Sequence, residues 1–338
     1  MTNRITIATI AERAGVSVPT VSKVLNGRVD VAPETRARVE KLLRQGGYQR
    51  RRSSTSPVPM VDLVFHELGS PWAMELIRGA EVAAREAGVE VVLSECGATR
   101  RPRQEWIDSV LNRQPAGIIM VFSDLEPDQR AQLDARAIPY VVVDPVGEDD
   151  GMPASVGSNN WSGGRLATNH LIQLGHTRIG AISGPVDTIC ARARMDGYSD
   201  ALRTARLAID PALVRVGDFS VEGGYAAGRD LLARPDRPTA IFAGSDLQAL
   251  GVMRAAHELG LDIPADLSVV GYDDLPLSEW VWPALTTVEQ PLYEMAVQGI
   301  RLVLALSRGE EPISRRMDLA VRLIERNSTA PVSTANVG

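Results

Sequence analysis

The chain has 338 residues, with 36 Lys or Arg against 42 Asp or Glu, and a net charge of −6. No apolar run approaches the roughly 18 residues that a membrane-spanning helix needs, so we expect no membrane protein. The first thirty residues carry charges in place of an apolar core, which predicts no secretory signal and a cytoplasmic location. Cys96 and Cys190 lack metal-ligand spacing, so neither a disulfide framework nor a metal site is expected.

The charge is unevenly distributed along the chain. Residues 1–56 hold eleven Lys or Arg against four Asp or Glu, a net charge of +7, which leaves −13 for the remainder. A basic segment attracts DNA because each neutralised phosphate releases condensed counterions, and an acidic body repels the duplex. The split therefore favours a DNA-binding head on an acidic body, although a solvated tail would show the same charge.

The head is predicted to contain three short helices. Apolar residues at helical spacing over 7–14 indicate the first, and Gly15 suits a chain reversal. Ser17 is placed to cap the second helix, where Pro19 is harmless because its missing N–H has no partner in the first turn. A third helix is expected from about Pro33 to Gln45. Two short helices joined by a glycine turn form a helix-turn-helix, whose second helix enters the major groove; a three-helix structural cap is the alternative.

From Val61 onward, short β-branched runs alternate with amphipathic stretches. Two such series predict an α/β fold with two lobes, and ligands bind such folds beyond the carboxyl ends of the strands. Aromatic side chains cover the apolar faces of sugar rings, while carboxylates and Arg bond to hydroxyls, so we expect a sugar-like ligand. Each residue at these strand ends also has a structural interpretation, as a cap or a core residue. The candidate ligand-binding residues are Trp72, Ser123, Asp144, Arg194, Phe219, Ser245, Asp246 and Asp273.

Enzyme motifs are missing from the sequence. We find no G-x-G-x-x-G, no G-x-x-x-x-G-K-[ST], no G-x-S-x-G and no H-E-x-x-H, and the four histidines show no ligand spacing. We therefore expect no enzyme, no catalytic residue and no cofactor. A cytoplasmic sugar-binding or sugar-modifying α/β protein without DNA binding stays open as the rival interpretation.

The head sequence I-A-T-I-A-E-R-A-G-V-S-V-P-T-V-S-K-V-L-N-G resembles that of the lactose-repressor (LacI/GalR) family of regulators. The body segments L-G-H-T-R-I-G, R-P-T-A-I-F-A-G-S-D and L-S-V-V-G-Y-D-D resemble the sensor domain of that family. The resemblance implies a periplasmic-binding-protein-like sensor, a homodimer and a pseudo-palindromic double-stranded DNA operator. It also implies a repressor that a sugar releases from DNA, with sugar-assisted binding as the open alternative. By the same resemblance Arg194 and Asp273 match positions that hold the effector, and Trp72 matches an aromatic-rich entry segment.

The predicted DNA contacts lie in the head and the linker. In the family, residues just after the cap and one turn later reach base edges, which maps onto Val18, Pro19 and Lys23; Lys23 can donate to guanine, whereas Thr20 and Ser22 suit phosphates. The full candidate set is Thr6, Ser17, Val18, Pro19, Thr20, Ser22, Lys23, Asn26, Arg50, Arg51 and Arg52.

The predicted domains are the head at 1–49, a linker at 50–59 and an effector-binding and dimerisation domain at 60–330. Within this domain the first lobe is expected at about 60–159 and 290–317, and the second at about 160–289 and 318–330. The linker, Y-Q-R-R-R-S-S-T-S-P-V-P-M, departs from the family because it has no Ala-Arg-x-Leu element, and Pro57 and Pro59 obstruct a helix. Its arginines act either as a minor-groove arm or as a simple tether.

Overall fold

The structure, a computed structural model, describes residues 6–25, 31–45, 58–97, 100–145 and 153–332. The candidate DNA contacts Asn26, Arg50, Arg51 and Arg52 lie outside these ranges, as does most of the predicted linker. No helix in the described ranges is long and apolar enough to cross a lipid bilayer.

The head contains the three predicted helices, α1 (Ile7–Ala14), α2 (Val18–Leu25) and α3 (Pro33–Gln45). Helix α1 ends at Gly15, whose φ of +64° reverses the chain at low steric cost. The three helices enclose a small aliphatic core of Ile10, Ala11, Ala14, Val21, Val24, Val31 and Val39. Because this core occupies one face of each helix, the opposite face of α2 remains open to solvent.

The body contains two α/β lobes. The first series of elements is β1 (Met60–Phe65), α4 (Pro71–Glu86), β2 (Glu90–Glu95), α5 (Gln104–Arg113), β3 (Gly117–Val121), α6 (Pro127–Asp134), β4 (Tyr140–Val143) and β5 (Ser155–Ser158). The second series is α7 (Asn160–Gln173), β6 (Ile179–Ser183), α8 (Ile189–Thr204), β7 (Val214–Val216), α9 (Val221–Leu232), β8 (Ala240–Ala243), α10 (Asp246–Glu258), β9 (Ser268–Asp273), α11 (Leu277–Trp280) and β10 (Thr286–Glu289). The last elements are α12 (Leu292–Ser307), β11 (Arg316–Leu319) and β12 (Arg322–Ile324).

Each lobe has a six-stranded sheet, and the two sheets share one pattern of strand order. The first sheet runs β11-β5-β4-β3-β1-β2 and the second β12-β10-β9-β8-β6-β7. All neighbours are parallel except β10 and β12. Parallel strands end at one edge of a sheet, so each lobe gathers its strand-end loops at one side.

Within the described ranges the backbone passes between the two sheets at three places: after β5, between β10 and α12, and between β11 and β12. The first sheet extends two residues beyond the predicted boundary at about 317. Asp318 and Leu319 pair with Gly157 and Ser158 of β5, so β11 completes the first sheet before the chain crosses. The strand β5 was not among the predicted runs because its sequence, S-V-G-S, lacks a β-branched run.

Helices α7 and α8 of the second lobe contact each other through their backbones. A Cβ atom on Gly164 of α7 would lie 2.0 Å from the carbonyl oxygen of Arg194, and one on Gly197 of α8 would lie 2.1 Å from the carbonyl oxygen of Trp161. Both distances are far below van der Waals contact, so only glycine permits this approach. The position of α8, which carries Arg194, is therefore fixed by main-chain contact.

Candidate functional sites

The first turns of α1 and α2 are held by the side chains of the residues before them. The Thr9 backbone N–H donates to Thr6 Oγ1 at 3.2 Å, and the Thr20 backbone N–H donates to Ser17 Oγ at 3.3 Å. These two bonds satisfy donors that helix starts leave open. The hydroxyl of Ser17 also lies 2.8 Å from that of Thr20. Thr6 and Ser17 therefore have capping roles in the described structure, whatever they contact on DNA.

The outer face of α2 carries the residues predicted to read bases. Val18, Pro19 and Lys23 are exposed, whereas Val21 and Val24 pack into the core of the head. Thr20 and Ser22 are partly exposed at the edge of this face. A helix with small and basic exposed side chains on one face has the shape and charge that the major groove accepts.

The body contains a cavity of about 320 Å³ between the strand-end loops of its two lobes. Residues from both lobes line it, and this volume is in the range of small-molecule sites. Six of the eight predicted ligand-binding residues line the cavity, namely Trp72, Asp144, Arg194, Phe219, Ser245 and Asp273.

Arg194, on α8, is the central cation of the cavity floor. Its side chain is buried, and it donates to Asn160 Oδ1 at 2.8 Å, to the Gly244 carbonyl at 2.6 Å and to Gln290 Oε1 at 3.3 Å. Its guanidinium lies 3.6 Å from the centroid of the Tyr272 ring, a cation–π contact. Neutral groups therefore hold most of the hydrogen-bond donors of Arg194.

Two carboxylates, Asp144 and Asp273, stand beside this guanidinium. Asp273 Oδ1 lies 3.7 Å from Arg194 Nη1, and Asp144 Oδ2 accepts from Gln290 Nε2 at 2.8 Å. Both side chains are more than nine-tenths buried, and burial raises the pKa of each carboxyl above its ordinary range. A buried acceptor of this kind gains most from a ligand hydroxyl that donates to it, since the bond offsets the cost of burying it.

An aromatic wall faces these polar groups. The ring of Phe122 lies 6.2 Å from that of Trp72 and 6.2 Å from that of Phe219, with both pairs edge-on. The guanidinium of Arg100 lies 4.7 Å from the Phe122 centroid, and it donates to Asp187 of the second lobe at 3.1 Å. The wall therefore joins the two lobes and offers apolar faces to a ring-shaped ligand.

Two predicted residues do not line the cavity. The β3 strand ends at Val121, and the left-handed φ of +49° at Phe122 turns the chain, so Phe122 faces the cavity while Ser123 turns back to the Val64 carbonyl. Asp246, at the start of α10, lies beneath the site. Its carboxylate accepts from Leu275 N–H, the Ser278 hydroxyl and the Thr287 hydroxyl, which makes it a structural anchor.

Several cavity residues were not predicted from the sequence. Phe122 follows β3 directly, one position before the predicted residue Ser123. Arg100 and Cys190 follow no predicted strand directly, and no sequence signal pointed to them. Glu67, Asp218 and Glu222 surround the mouth as exposed carboxylates. Within the described ranges no group of three or more His, Cys, Asp or Glu is arranged to hold a metal ion.

Comparisons with known proteins agree with this two-part architecture. The family described as "Bacterial regulatory proteins, lacI family" matches residues 6–51, and that described as "Periplasmic binding protein-like domain" matches residues 168–329. The HTH-type transcriptional repressor CytR of Escherichia coli (strain K12) is 33% identical over 328 residues, which cover 96% of each chain.

Two solved structures are similar over nearly the whole chain. A transcriptional regulator CelR-cellobiose complex is 34% identical with a TM-score of 0.73, over 96% of this chain and 100% of the other. The lac repressor dimer bound to operator and the anti-inducer ONPF is 28% identical with a TM-score of 0.71, over 97% of this chain and 100% of the other. The matches therefore extend across the head and both lobes.

Proposed function

Because this chain belongs to the LacI family of bacterial regulatory proteins, we propose that it represses transcription by binding a pseudo-palindromic operator as a homodimer. A sugar or sugar-derived ligand enters the cavity between the lobes and releases the protein from DNA. The matched family members are transcriptional regulators, and we assign this chain a regulatory role in the cytoplasm rather than an enzymatic one.

The observation that carries the proposal is that one chain joins a basic helix-turn-helix to a cavity of ligand size between two lobes. The head offers an exposed recognition face, and the cavity offers the chemistry of a sugar site, with rings on one side and directional polar groups on the other. The floor combines two carboxylates with one guanidinium, and exposed carboxylates surround the mouth. This balance favours an uncharged ligand over a phosphorylated one, since an anion would be repelled at entry.

The homodimer is supported by an exposed apolar patch at the end of α11. Trp280 is 79% exposed and Trp282 is 90% exposed. Tryptophan is among the largest apolar side chains, so its exposure to water is unfavourable. Exposed clusters of this kind mark protein–protein interfaces, and tryptophan is enriched among residues that dominate binding energy. The similar lac repressor structure is a dimer on operator DNA, which gives two heads for two half-sites.

Release by a ligand requires that the ligand prefer one arrangement of the lobes. We propose that the sugar stabilises a lobe arrangement in which the two heads no longer match the half-site spacing. The same coupling requires operator DNA to weaken sugar binding by an equal factor.

The proposal is tested by selecting operator fragments from random DNA with the full chain, followed by titration with cellobiose, ribose and glucose. We expect retention of a palindromic sequence, weaker binding as salt rises, and release by at least one sugar. Failure to select any DNA would contradict the regulatory role. Selection without release, together with no thermal shift by any sugar, would retain the DNA-binding role and contradict the sugar.

A further inference from the structure

Gln290 occupies the second of the three crossings between the lobes. It lies between β10 of the second sheet and α12, which packs on the first sheet. Its backbone N–H donates to the Asp273 carbonyl at 3.3 Å, and its carbonyl accepts from Leu292 N–H at 2.7 Å. The main chain at Gln290 is therefore fixed beside the cavity floor, and its side chain is almost fully buried.

The Gln290 amide binds groups from both lobes. Nε2 donates to Asp144, which follows the last residue of β4 in the first lobe, at 2.8 Å. Oε1 accepts from Arg194 Nη2 of the second lobe at 3.3 Å and from Trp72 Nε1 of the first lobe at 3.4 Å. All three partners line the ligand cavity, whereas Gln290 does not. One neutral amide thus connects three cavity residues to a crossing segment.

The chemistry of an amide suits this position better than that of any charged side chain. It offers a donor to the carboxylate and an acceptor to the guanidinium at the same time, so it orders both groups. A carboxylate in its place would repel Asp144. An apolar side chain would leave the buried Asp144 and Arg194 and the partly buried Trp72 without these bonds. The bonds also oppose separation of the lobes, because Asp144 and Trp72 would move away from Arg194 when the lobes open.

We propose that Gln290 is a positioning residue that links the angle between the lobes to the contents of the cavity. A ligand that binds Asp144 and Arg194 uses the same groups that the amide holds, so occupancy changes the strength of the amide bonds and with it the preferred lobe angle. The lobe angle of the ligand-free protein can be measured whether or not the protein binds DNA or a sugar. Its consequence for operator release rests on the proposed function.

The decisive experiment measures the distance between the lobes by pulsed electron paramagnetic resonance in the full chain without ligand. Spin labels are placed at Asp128→Cys on α6 and at Val186→Cys on the loop after β6, both in a Cys96→Ser background. Cys190 remains because burial raises the pKa of its thiol to about 11, which leaves it unreactive. The test variants are Gln290→Met and Gln290→Glu, with Gln298→Met as the matched control. In the described part of the chain the Gln298 amide donates a hydrogen bond to Glu294 on its own helix.

We expect Gln290→Met to give a longer and broader distance distribution than the parent protein, Gln290→Glu to give a larger shift, and Gln298→Met to match the parent. Thermal unfolding of each variant separates an angle effect from simple loss of stability. A lower unfolding temperature with an unchanged distance distribution would assign Gln290 a structural role and overturn the proposal.

A second measurement repeats the distances with cellobiose, ribose and glucose. Where a sugar shifts the parent distribution, Gln290→Met should reduce that shift, and an undiminished shift would overturn the link to cavity contents. If none of the three sugars shifts the parent, the proposed sugar response is contradicted, while the ligand-free distances still decide the role of Gln290.

Discussion

Helix α2 of the head and the floor of the cavity are the two proposed recognition surfaces, and they are built in opposite ways. The α2 helix presents Val18, Pro19 and Lys23 to solvent on one face. The floor buries Arg194 and Asp273 and holds Arg194 with side-chain and main-chain acceptors. DNA is a long polyanion that sums many exposed contacts, whereas a small ligand depends on a few desolvated groups. A single substitution in α2 should therefore reduce DNA binding less than a single substitution in the cavity floor reduces ligand binding.

The largest effect is expected for Arg194→Met. Removing the guanidinium leaves Asp144 and Asp273 buried without their nearest cation, and breaking a buried ion pair costs about 3 kcal/mol of stability or more. Sugar binding should lose about 1.5–3 kcal/mol for each charged hydrogen bond that the ligand made to Arg194. Urea unfolding and calorimetric titration with the responding sugar measure the two effects, and operator binding without sugar should persist.

The matched control is Arg192→Met on the same helix. Arg192 is exposed and donates to the Val186 carbonyl at 3.3 Å, so it shares the helix and the charge of Arg194 without the burial. Equal losses in the two variants would show that general charge, rather than the buried network, determines sugar binding.

A substitution in the body that prevents dimerisation should also weaken operator binding by the head. Trp282→Arg places a charge in the exposed patch at the end of α11, and residues that dominate an interface contribute about 2 kcal/mol or more. We expect sedimentation equilibrium to show more monomer and operator affinity to fall. Val186→Arg, another exposed apolar position, should leave both unchanged. A fully dimeric Trp282→Arg protein would remove Trp282 from the proposed interface.

A smaller and more selective effect is expected for Lys23→Ala. The loss should be about 1–3 kcal/mol at one symmetric base pair and slight at other positions, because a base-reading lysine discriminates where a phosphate contact does not. Binding assays on operators with single base changes measure it, with Lys41→Ala on the exposed side of α3 as the control. A uniform loss over all operators would make Lys23 a phosphate contact.

A pH dependence of the free energy of unfolding is expected from Asp246. Burial raises its pKa from 3.8 to about 6, so the folded chain binds this proton more tightly than the unfolded chain does. The contribution of Asp246 to the free energy of unfolding must then fall as the pH rises from about 4 to about 6. Asp246→Asn should remove this slope in urea unfolding. Asp236→Asn should change the slope little, and in the opposite direction, because Arg234 lowers the pKa of the exposed Asp236.

The head was predictable because its signals are local. Ser17 and Thr20 are three residues apart, as are the partners of most caps, so the sequence alone places the bond that the structure contains. The family, the helix-turn-helix and the two-lobed α/β fold were also predicted correctly. Strand ends indicated six cavity residues, because parallel strands end together regardless of their separation in the sequence.

The remaining parts of the cavity depend on geometry that a sequence pattern does not contain. A single left-handed residue decides whether Phe122 or Ser123 faces the ligand. Gln290 is 146 residues from Asp144 and 96 from Arg194, so nothing near it in the sequence indicates their contact. Asp246 stands at a strand end as predicted, yet three donors beneath the site turn its carboxylate away from the cavity.

The glycine contacts between α7 and α8 have a genetic consequence. A methyl group on Gly164 would push directly against the main chain of Arg194, and one on Gly197 would push the same two helices apart. Either change displaces the guanidinium from the cavity without altering a single lining residue. A selection for strains that cannot switch on their target genes should therefore return alleles at Gly164 and Gly197, outside the pocket, with the same phenotype as alleles at Arg194.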